Sequence, residues 1–181
     1  LKSYQYNINS QISDDIDQVN ELGKTISELN LQIQKVEAGN IETAMTLRDA
    51  RDLALDELAS LVDISYKEET NGVVRVSVEG NEFVNENGYY KVEKQTDKVT
   101  GFVTPYWSHL SDPDKGEYTY LFNFNRDIST ENKNDMGEIK ALVLARGDKV
   151  ANYKDIVGLD GKTYDDTTGM SVMLRAEAQM D

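Results

Sequence analysis

Apolar residues recur every three or four positions over the first 36 residues, a spacing typical of an amphipathic helix. The apolar stripe consists of Leu1, Tyr4, Ile8, Ile12, Ile16, Val19, Leu22, Ile26, Leu29, Ile33 and Val36. Gly23 lies inside this pattern, where glycine weakens a helix by about 1 kcal/mol relative to alanine without ending it. Gly39-Asn40 then indicates the helix end. Two interpretations of the stripe remain open: a coiled coil with a partner chain, or a helix packed within its own domain.

A second apolar face predicts a helix from about residue 41 to residue 62. Its apolar members are Ala44, Leu47, Ala54, Leu58 and Leu61. Because a short Gly-Asn turn separates two striped helices, we expect an antiparallel helical hairpin. Arg51 interrupts the apolar face, and a buried arginine needs a partner. We therefore expect Arg51 to tie this helix to its neighbours, and Arg48 to be able to meet Asp52 on the helix surface.

From Ile64 the apolar period changes to two, which predicts antiparallel strands. The clearest alternation is Val74, Val76 and Val78, followed by expected turns at Gly80-Asn81 and Asn87-Gly88. Further strands are expected over residues 83–84, 89–93, 100–106 and 118–125. The last of these carries aromatic residues that we expect to face the core of a sheet: Tyr118, Tyr120, Phe122 and Phe124.

Helical spacing returns near residue 135. The apolar face of this third helix consists of Ile139, Leu142, Val143, Arg146, Val150 and Tyr153, and Ser171 could cap a last helix. The order of elements indicates an α+β fold with a long-helix stem, an antiparallel helix pair plus later helices, and a β-rich lobe of antiparallel strands. We predict residues 1–63 as the helical hairpin of the stem, 64–134 as the β-rich lobe and 135–181 as the returning helices.

Charge and composition exclude several classes of function. The chain has 33 acidic and 19 basic residues, a net charge of −14, which disfavours binding to nucleic acid or to an anionic membrane surface. No apolar run approaches the roughly 20 residues that span a bilayer. The absence of cysteine excludes disulfides, thiolate metal sites and a cysteine nucleophile. The first residue falls within a helical pattern, so we interpret the chain as a piece of a longer protein.

Groups that could support catalysis are few, and we predict neither an enzyme nor a cofactor. His109 is the single histidine, and neither a nucleophile elbow nor a phosphate-binding glycine loop occurs. Two acidic groups are weak candidates for calcium ligation: Asp112, Asp114 and Glu117, and Asp160, Asp165 and Asp166. Neither group has the full spacing of a calcium loop, and the same residue types favour tight turns.

The residues around Arg51 carry a resemblance to a known family. A striped helix, a glycine turn and then Leu-Arg-Asp-x-Arg-Asp-x-x-x-Asp-Glu-Leu resemble the flagellar hook-associated protein 1 (FlgK) family. The matching residues are Leu47, Arg48, Asp49, Arg51, Asp52, Asp56, Glu57, Leu58, Leu61 and Val62. Ala50 stands where the family commonly has glutamine, and Met45-Thr46 where it often has Asn-Asp.

A second stretch supports the same resemblance. The segment MGEIKALVLARGD is similar to the family's Gly-x-Leu-x-Gly-Leu-x-x-x-Arg helix. It matches through Gly137, Ile139, Leu142 and Arg146, with Ala141 in the place of the second glycine. The order of all these parts agrees with the family from about residue 8 to about residue 150.

The resemblance implies an extracellular, non-enzymatic subunit at the hook–filament junction of the bacterial flagellum. Members are exported by the flagellar type III apparatus and assemble as a ring beside the hook protein and a second hook-associated protein. An export chaperone would be a further partner. Their terminal coiled-coil segments are largely missing here, so this internal fragment is expected to be monomeric alone. The alternatives are another flagellar axial or coiled-coil surface protein and, less favoured, a ligand-binding lobe.

Overall fold

The computed structural model describes residues 2–38, 44–123, 137–148 and 150, and these form an α+β fold. Its α-helices are α1 (Lys2–Glu37), α2 (Met45–Leu61) and α3 (Gly137–Arg146), and a 3-10 helix covers Ser108–Leu110. Its strands are β1 (Ile64–Glu68), β2 (Val74–Val78), β3 (Asn81–Asn85), β4 (Gly88–Tyr89), β5 (Val92–Thr96) and β6 (Val103–Trp107). The predicted fold class is therefore confirmed.

The strands form two antiparallel sheets. The first has the order β1-β2-β3-β4, and the second consists of β5 and β6. The valines of β2 are all buried, whereas Arg75 and Ser77 between them are half-buried, so the predicted alternation is confirmed. The β2–β3 turn lies at Glu79-Gly80, where both residues have positive φ angles, and Asn81 begins β3.

Helix α1 is the central element of the fold, because α2, α3 and strands of both sheets pack against it. Ile12, Ile16 and Ile26 of α1 are completely buried in one continuous core. That core also contains residues of α2, of α3 and of both sheets, such as Leu58, Val76, Phe83, Trp107 and Ile139. From Ile8 to Ile33 the apolar stripe is thus covered by its own chain, as the second interpretation proposed, whereas Tyr4 and Val36 near its ends are exposed. The division at residues 63 and 134 stays a prediction.

The predicted strand over residues 118–125 is wrong in its described part, residues 118–123. This segment forms a single β-bridge, between Tyr106 and Tyr120. The Leu121 N–H donates to the Pro105 carbonyl at 3.0 Å, but proline has no N–H to return the bond. The ladder is therefore interrupted, and Tyr120 is 45% exposed rather than buried. Phe122 is buried, and Phe124 lies outside the described residues.

Several element boundaries also differ from prediction. Helix α2 begins at Met45 rather than near residue 41, and the expected strand over 89–93 is divided between β4 and β5. Helix α3 ends at Arg146, because Gly147 takes a φ angle of +72° and its N–H donates to the Val143 carbonyl. Val150 is consequently not helical. The predictions for Tyr153 and for the acidic group at 160–166 lie outside the described residues, as does Ser171.

Candidate functional site

Arg48, in the first family motif, joins three elements through its guanidinium group. Its Nε and Nη2 donate to the two carboxylate oxygens of Glu37 at 2.9 and 2.6 Å, and its Nη1 donates to Glu68 in β1. The hydrogen bonds from Arg48 to Glu37, with one from the Ala44 N–H, lower the pKa of Glu37 to about 2. The expected Arg48–Asp52 pair is absent, because Asp52 is exposed and Arg48 turns towards α1 and β1.

Arg51 lies three residues after Arg48 in α2 and is fully buried. Its Nη1 donates to Asn30 Oδ1 at 3.0 Å and to the Gly72 carbonyl at 2.6 Å, and its Nη2 lies 3.4 Å from Glu68. Arg51 therefore ties α2 to α1 and to the β1–β2 turn, as its place in an apolar face predicted. A cleft of about 470 Å³ borders this network, and the Glu37 and Glu68 carboxylates that line it are bonded to Arg48.

Three asparagines of α1 each bind the backbone of a strand or its lead-in turn. This asparagine series consists of Asn9, Asn20 and Asn30. Asn30 accepts a hydrogen bond from the Val74 N–H at 3.0 Å and donates to the Val74 carbonyl at 2.9 Å. Asn20 binds Val92 in the same way, at 2.9 and 2.8 Å. A carboxamide can supply both an acceptor and a donor, so each side chain docks a strand on the helix.

Asn9 completes the asparagine series at the other end of α1. It accepts from the Val103 N–H at 2.8 Å and donates to the Gly101 carbonyl at 3.2 Å. The sequence reading missed these three residues. A signal was nevertheless present, because each asparagine directly follows a residue of the apolar stripe and so lies at its border: Ile8, Val19 and Leu29.

Arg146, in the second family motif, repeats the arrangement of Arg51. It is buried in α3, and its Nη1 donates to Asn9 Oδ1 at 2.7 Å and to the Val103 carbonyl at 2.6 Å. Its guanidinium carbon lies 4.7 Å from the centre of the Phe102 ring. Burial lowers the pKa of Arg146 to about 10. Two motif arginines thus hold α2 and α3 to opposite ends of α1, each through an asparagine and a backbone carbonyl.

Gly137, also in the second motif, allows α3 to approach the end of α2. Its φ angle is +59°, and an added Cβ would lie 2.6 Å from the Leu61 carbonyl oxygen and 2.7 Å from Val62 Cα. Among the other motif residues, Leu58 is fully buried in the core. Leu47 and Leu142 are half-buried, and Asp49, like Asp52, faces solvent.

The residues considered for catalysis or metal binding have ordinary structural partners. Asp112 pairs with Lys115 at 2.6 Å within a turn that Glu117 closes, and Asp114 is exposed. The His109 ring stacks on Tyr90 with 3.9 Å between centroids, and burial lowers its pKa. Across the described ranges, no three histidine or acidic side chains are grouped to hold a metal ion. No described helix is long and apolar enough to cross a bilayer.

Comparison with known proteins agrees with this architecture. A family model described as "Flagellar hook-associated protein FlgK helical domain" matches residues 1–159. A solved structure of the flagellar hook junction protein FlgK from Burkholderia pseudomallei has a similar fold, with a TM-score of 0.57 and 23% sequence identity. The match covers 78% of this chain and 24% of that chain, so the present chain corresponds to a part of that protein. No curated protein matches.

Proposed function

Because the chain belongs to the family of the flagellar hook-associated protein FlgK, we propose that it is part of the structural subunit that joins hook to filament. The observation that carries this proposal is that both family motifs build the fold itself. Arg51 and Arg146 are buried and bound to α1, and no described group around them is arranged for catalysis. A subunit of this kind acts by packing against other proteins.

The rigid element available for such packing is α1. Its 36 residues extend over about 54 Å at 1.5 Å per residue, and both sheets are fixed to it by the asparagine series. Neighbouring subunits would contact the stem helices, and the contact would accommodate the different curvatures of hook and filament. Asp49 and Asp52 remain exposed on α2, so they are free to take part in these contacts.

We further propose the partners and location that this role requires. The hook protein, a second hook-associated protein and other copies of the subunit in a ring would be its neighbours, outside the cell. Export would use the flagellar type III apparatus, with a chaperone as a further partner. The charge of −14 would keep the unassembled subunit in solution. The alternative is another axial protein of the flagellum.

Immunogold electron microscopy tests the location. Antibody raised against this chain should label source cells once per flagellum, where hook meets filament, and cells lacking the gene provide the control. Label along entire filaments would instead support a filament protein. Label confined to the cell body would contradict the proposal.

A further inference from the structure

Helix α3 is held in place by an interface that combines apolar side chains with buried charged ones. Ile139 and Val143 are its buried apolar side chains, and Leu142 and Ala145 pack against the core while partly buried. Its other buried residues are Lys140 and Arg146. The helix has 10 residues, fewer than the about 12–15 that an isolated helix needs even for marginal stability in water. Helix α3 therefore depends on docking for its structure.

On the α1 side of this interface, Asp15 is buried without adequate pairing. Its Oδ2 atom has no hydrogen-bond partner within the described part of the chain. The acidic residues that act on it are Glu138 of α3 and Asp14, and burial together with these like charges raises the pKa of Asp15 to about 6. The exposed Glu138 carboxylate accepts a hydrogen bond from Gln11 Nε2 of α1 at 2.9 Å, but its negative charge opposes ionisation of the buried Asp15 across the α1–α3 contact.

The β2–β3 turn presents a second under-compensated carboxylate to α3. Glu79 has a φ angle of +50°, and its Oε2 lies 3.5 Å from Lys140 Nζ, longer than a typical charge-assisted hydrogen bond of about 2.8 Å. Its Oε1 is buried and unpaired as far as the described residues extend. Burial, with a smaller effect of Asp63, raises the pKa of Glu79 despite the nearby ammonium group.

Arg146 differs from Arg51 in the partners that balance its buried positive charge. Its guanidinium contacts neutral acceptors and the Phe102 ring, and no described carboxylate lies within ion-pair distance. Arg51 has Glu68 nearby, and the adjacent Arg48 forms a bidentate pair with Glu37. The buried apolar residues of α2 are also more numerous: Ala54, Leu55, Leu58 and Leu61. Helix α2 is therefore held more firmly than α3.

We propose that α3 is a detachable element. It separates as one unit from α1 and from the β2–β3 turn, while α1, α2 and both sheets remain folded. Detachment returns Asp15, Glu79 and Arg146 to water, and docking favours the protonated carboxyl groups. The attachment consequently strengthens as the pH falls below neutral. The ionisable groups that face one another here are Asp14, Asp15, Asp63, Glu79, Glu138, Lys140, Arg146 and Asp148. This property is independent of the assembly role proposed above.

Hydrogen exchange on the 181-residue chain tests the proposal. The open state through which the amides of α3 exchange should be at least tenfold more populated than the open state through which the amides at the centre of α1 exchange. The shift of the Asp15 pKa from 3.8 to about 6 predicts that docking strengthens about four-fold between about pH 7.5 and about pH 5.5, with Glu79 adding to this. Equal protection of α3 and of central α1 at every pH would overturn the proposal.

Two matched variants test the source of the effect. Asp15→Asn should increase the protection of α3 several-fold at about pH 7.5 and flatten its pH dependence, because the buried charge is removed. Glu28→Gln changes an exposed carboxylate on the same helix that does not act on Asp15 and should change protection by less than about two-fold. Equal effects of the two substitutions would overturn the role of Asp15. Glu79→Gln should act in the same direction as Asp15→Asn, and a loss of protection would contradict the role of the turn.

Discussion

Gly23 lies near the middle of α1, where the ring of Phe83 packs directly against the helix backbone. An added Cβ would lie 2.4 Å from Phe83 Cζ and 2.8 Å from Cε1. The rings of Tyr89 and Trp107 lie 6.3 and 5.9 Å from that of Phe83, and Phe83 is completely buried. The ring consequently has little space into which it could move.

We expect Gly23→Ala to lower the free energy of unfolding. Alanine favours the helix by about 1 kcal/mol, but overpacking the Phe83 contact costs about 1–3 kcal/mol, so the net loss is of order 1 kcal/mol. Urea unfolding followed by circular dichroism measures it. In the double variant Gly23→Ala/Phe83→Leu, the loss of stability should be smaller than the sum of the losses in the two single variants. A loss equal to that sum would contradict the steric explanation.

Replacing Arg51 tests whether the guanidinium group ties α2 to its neighbours. In Arg51→Met the Gly72 carbonyl and Asn30 Oδ1 each lose a donor at a buried position, so we expect a loss of about 2–4 kcal/mol in the free energy of unfolding. Asp52→Asn is the matched control on the same helix, and this exposed substitution should change stability by less than about 0.5 kcal/mol. Unchanged stability of Arg51→Met would rule out the tie.

At the scale of elements, the asparagine series determines how the strands meet α1. Asn30→Ala removes both partners of the Val74 backbone and one acceptor of Arg51, which should destabilise the fold by about 2–4 kcal/mol. Asn7→Ala, at an exposed position of the same helix, controls for helix propensity and should change stability by less than about 0.5 kcal/mol. Thermal unfolding of the two variants side by side gives the comparison, and equal melting temperatures would contradict the role of the series.

The elements that were predicted correctly are those whose apolar residues face one side. Helix α1 and strand β2 follow from periods of 3.6 and 2, because each buries one face. The strand predicted over residues 118–125 is wrong at residues 118–123 because Pro105, in another strand, interrupts the ladder. A local pattern does not reveal such an interruption. The Arg48–Asp52 pair was wrongly expected for a similar reason. Arg48 binds Glu37 and Glu68 instead, and both are distant from it in sequence. Of the motif residues, Arg51 was predictable because a charge in an apolar face requires a partner.

For the whole molecule, opposite pKa shifts predict a stability maximum on the acidic side of neutrality. Glu37, whose pKa is lowered to about 2, stabilises the fold above its ordinary pKa of 4.5, and this contribution is lost as the pH falls towards 2. Asp15, whose pKa is raised to about 6, contributes stability below its ordinary pKa of 3.8 that is lost as the pH rises through 6. Melting temperatures should therefore be highest at about pH 4–5, where Glu37 is largely ionised and Asp15 is still largely protonated, and should fall as the pH rises towards neutrality.

The dependence of the melting temperature on pH should change when Asp15 is replaced. Asp15→Asn removes the alkaline loss, so its melting temperature should exceed that of the parent chain at about pH 7.5 and approach it near about pH 4.5. Circular dichroism at low protein concentration limits association near the isoelectric point of about 4.5. A parent profile that rises continuously to pH 8 would contradict the assignment.

Association of the whole chain is expected to be weak. Its apolar stripe is covered internally from Ile8 to Ile33, and its net charge of −14 opposes contact between copies. Light scattering coupled to size exclusion should give the mass of one chain, 20.4 kDa, up to about 0.1 mM, the weak end of specific association. A stable oligomer whose mass does not change on dilution would contradict this expectation.

The asparagine series also restricts how the length of the chain can change during evolution. One inserted residue in a helix turns everything beyond it by about 100° and advances it by 1.5 Å. An insertion or deletion between Asn9 and Asn30 would therefore direct at least one carboxamide away from its strand and displace an arginine partner with it. Gaps in alignments of relatives should fall in surface turns such as residues 111–117, while the number of residues from Asn9 to Asn30 stays constant.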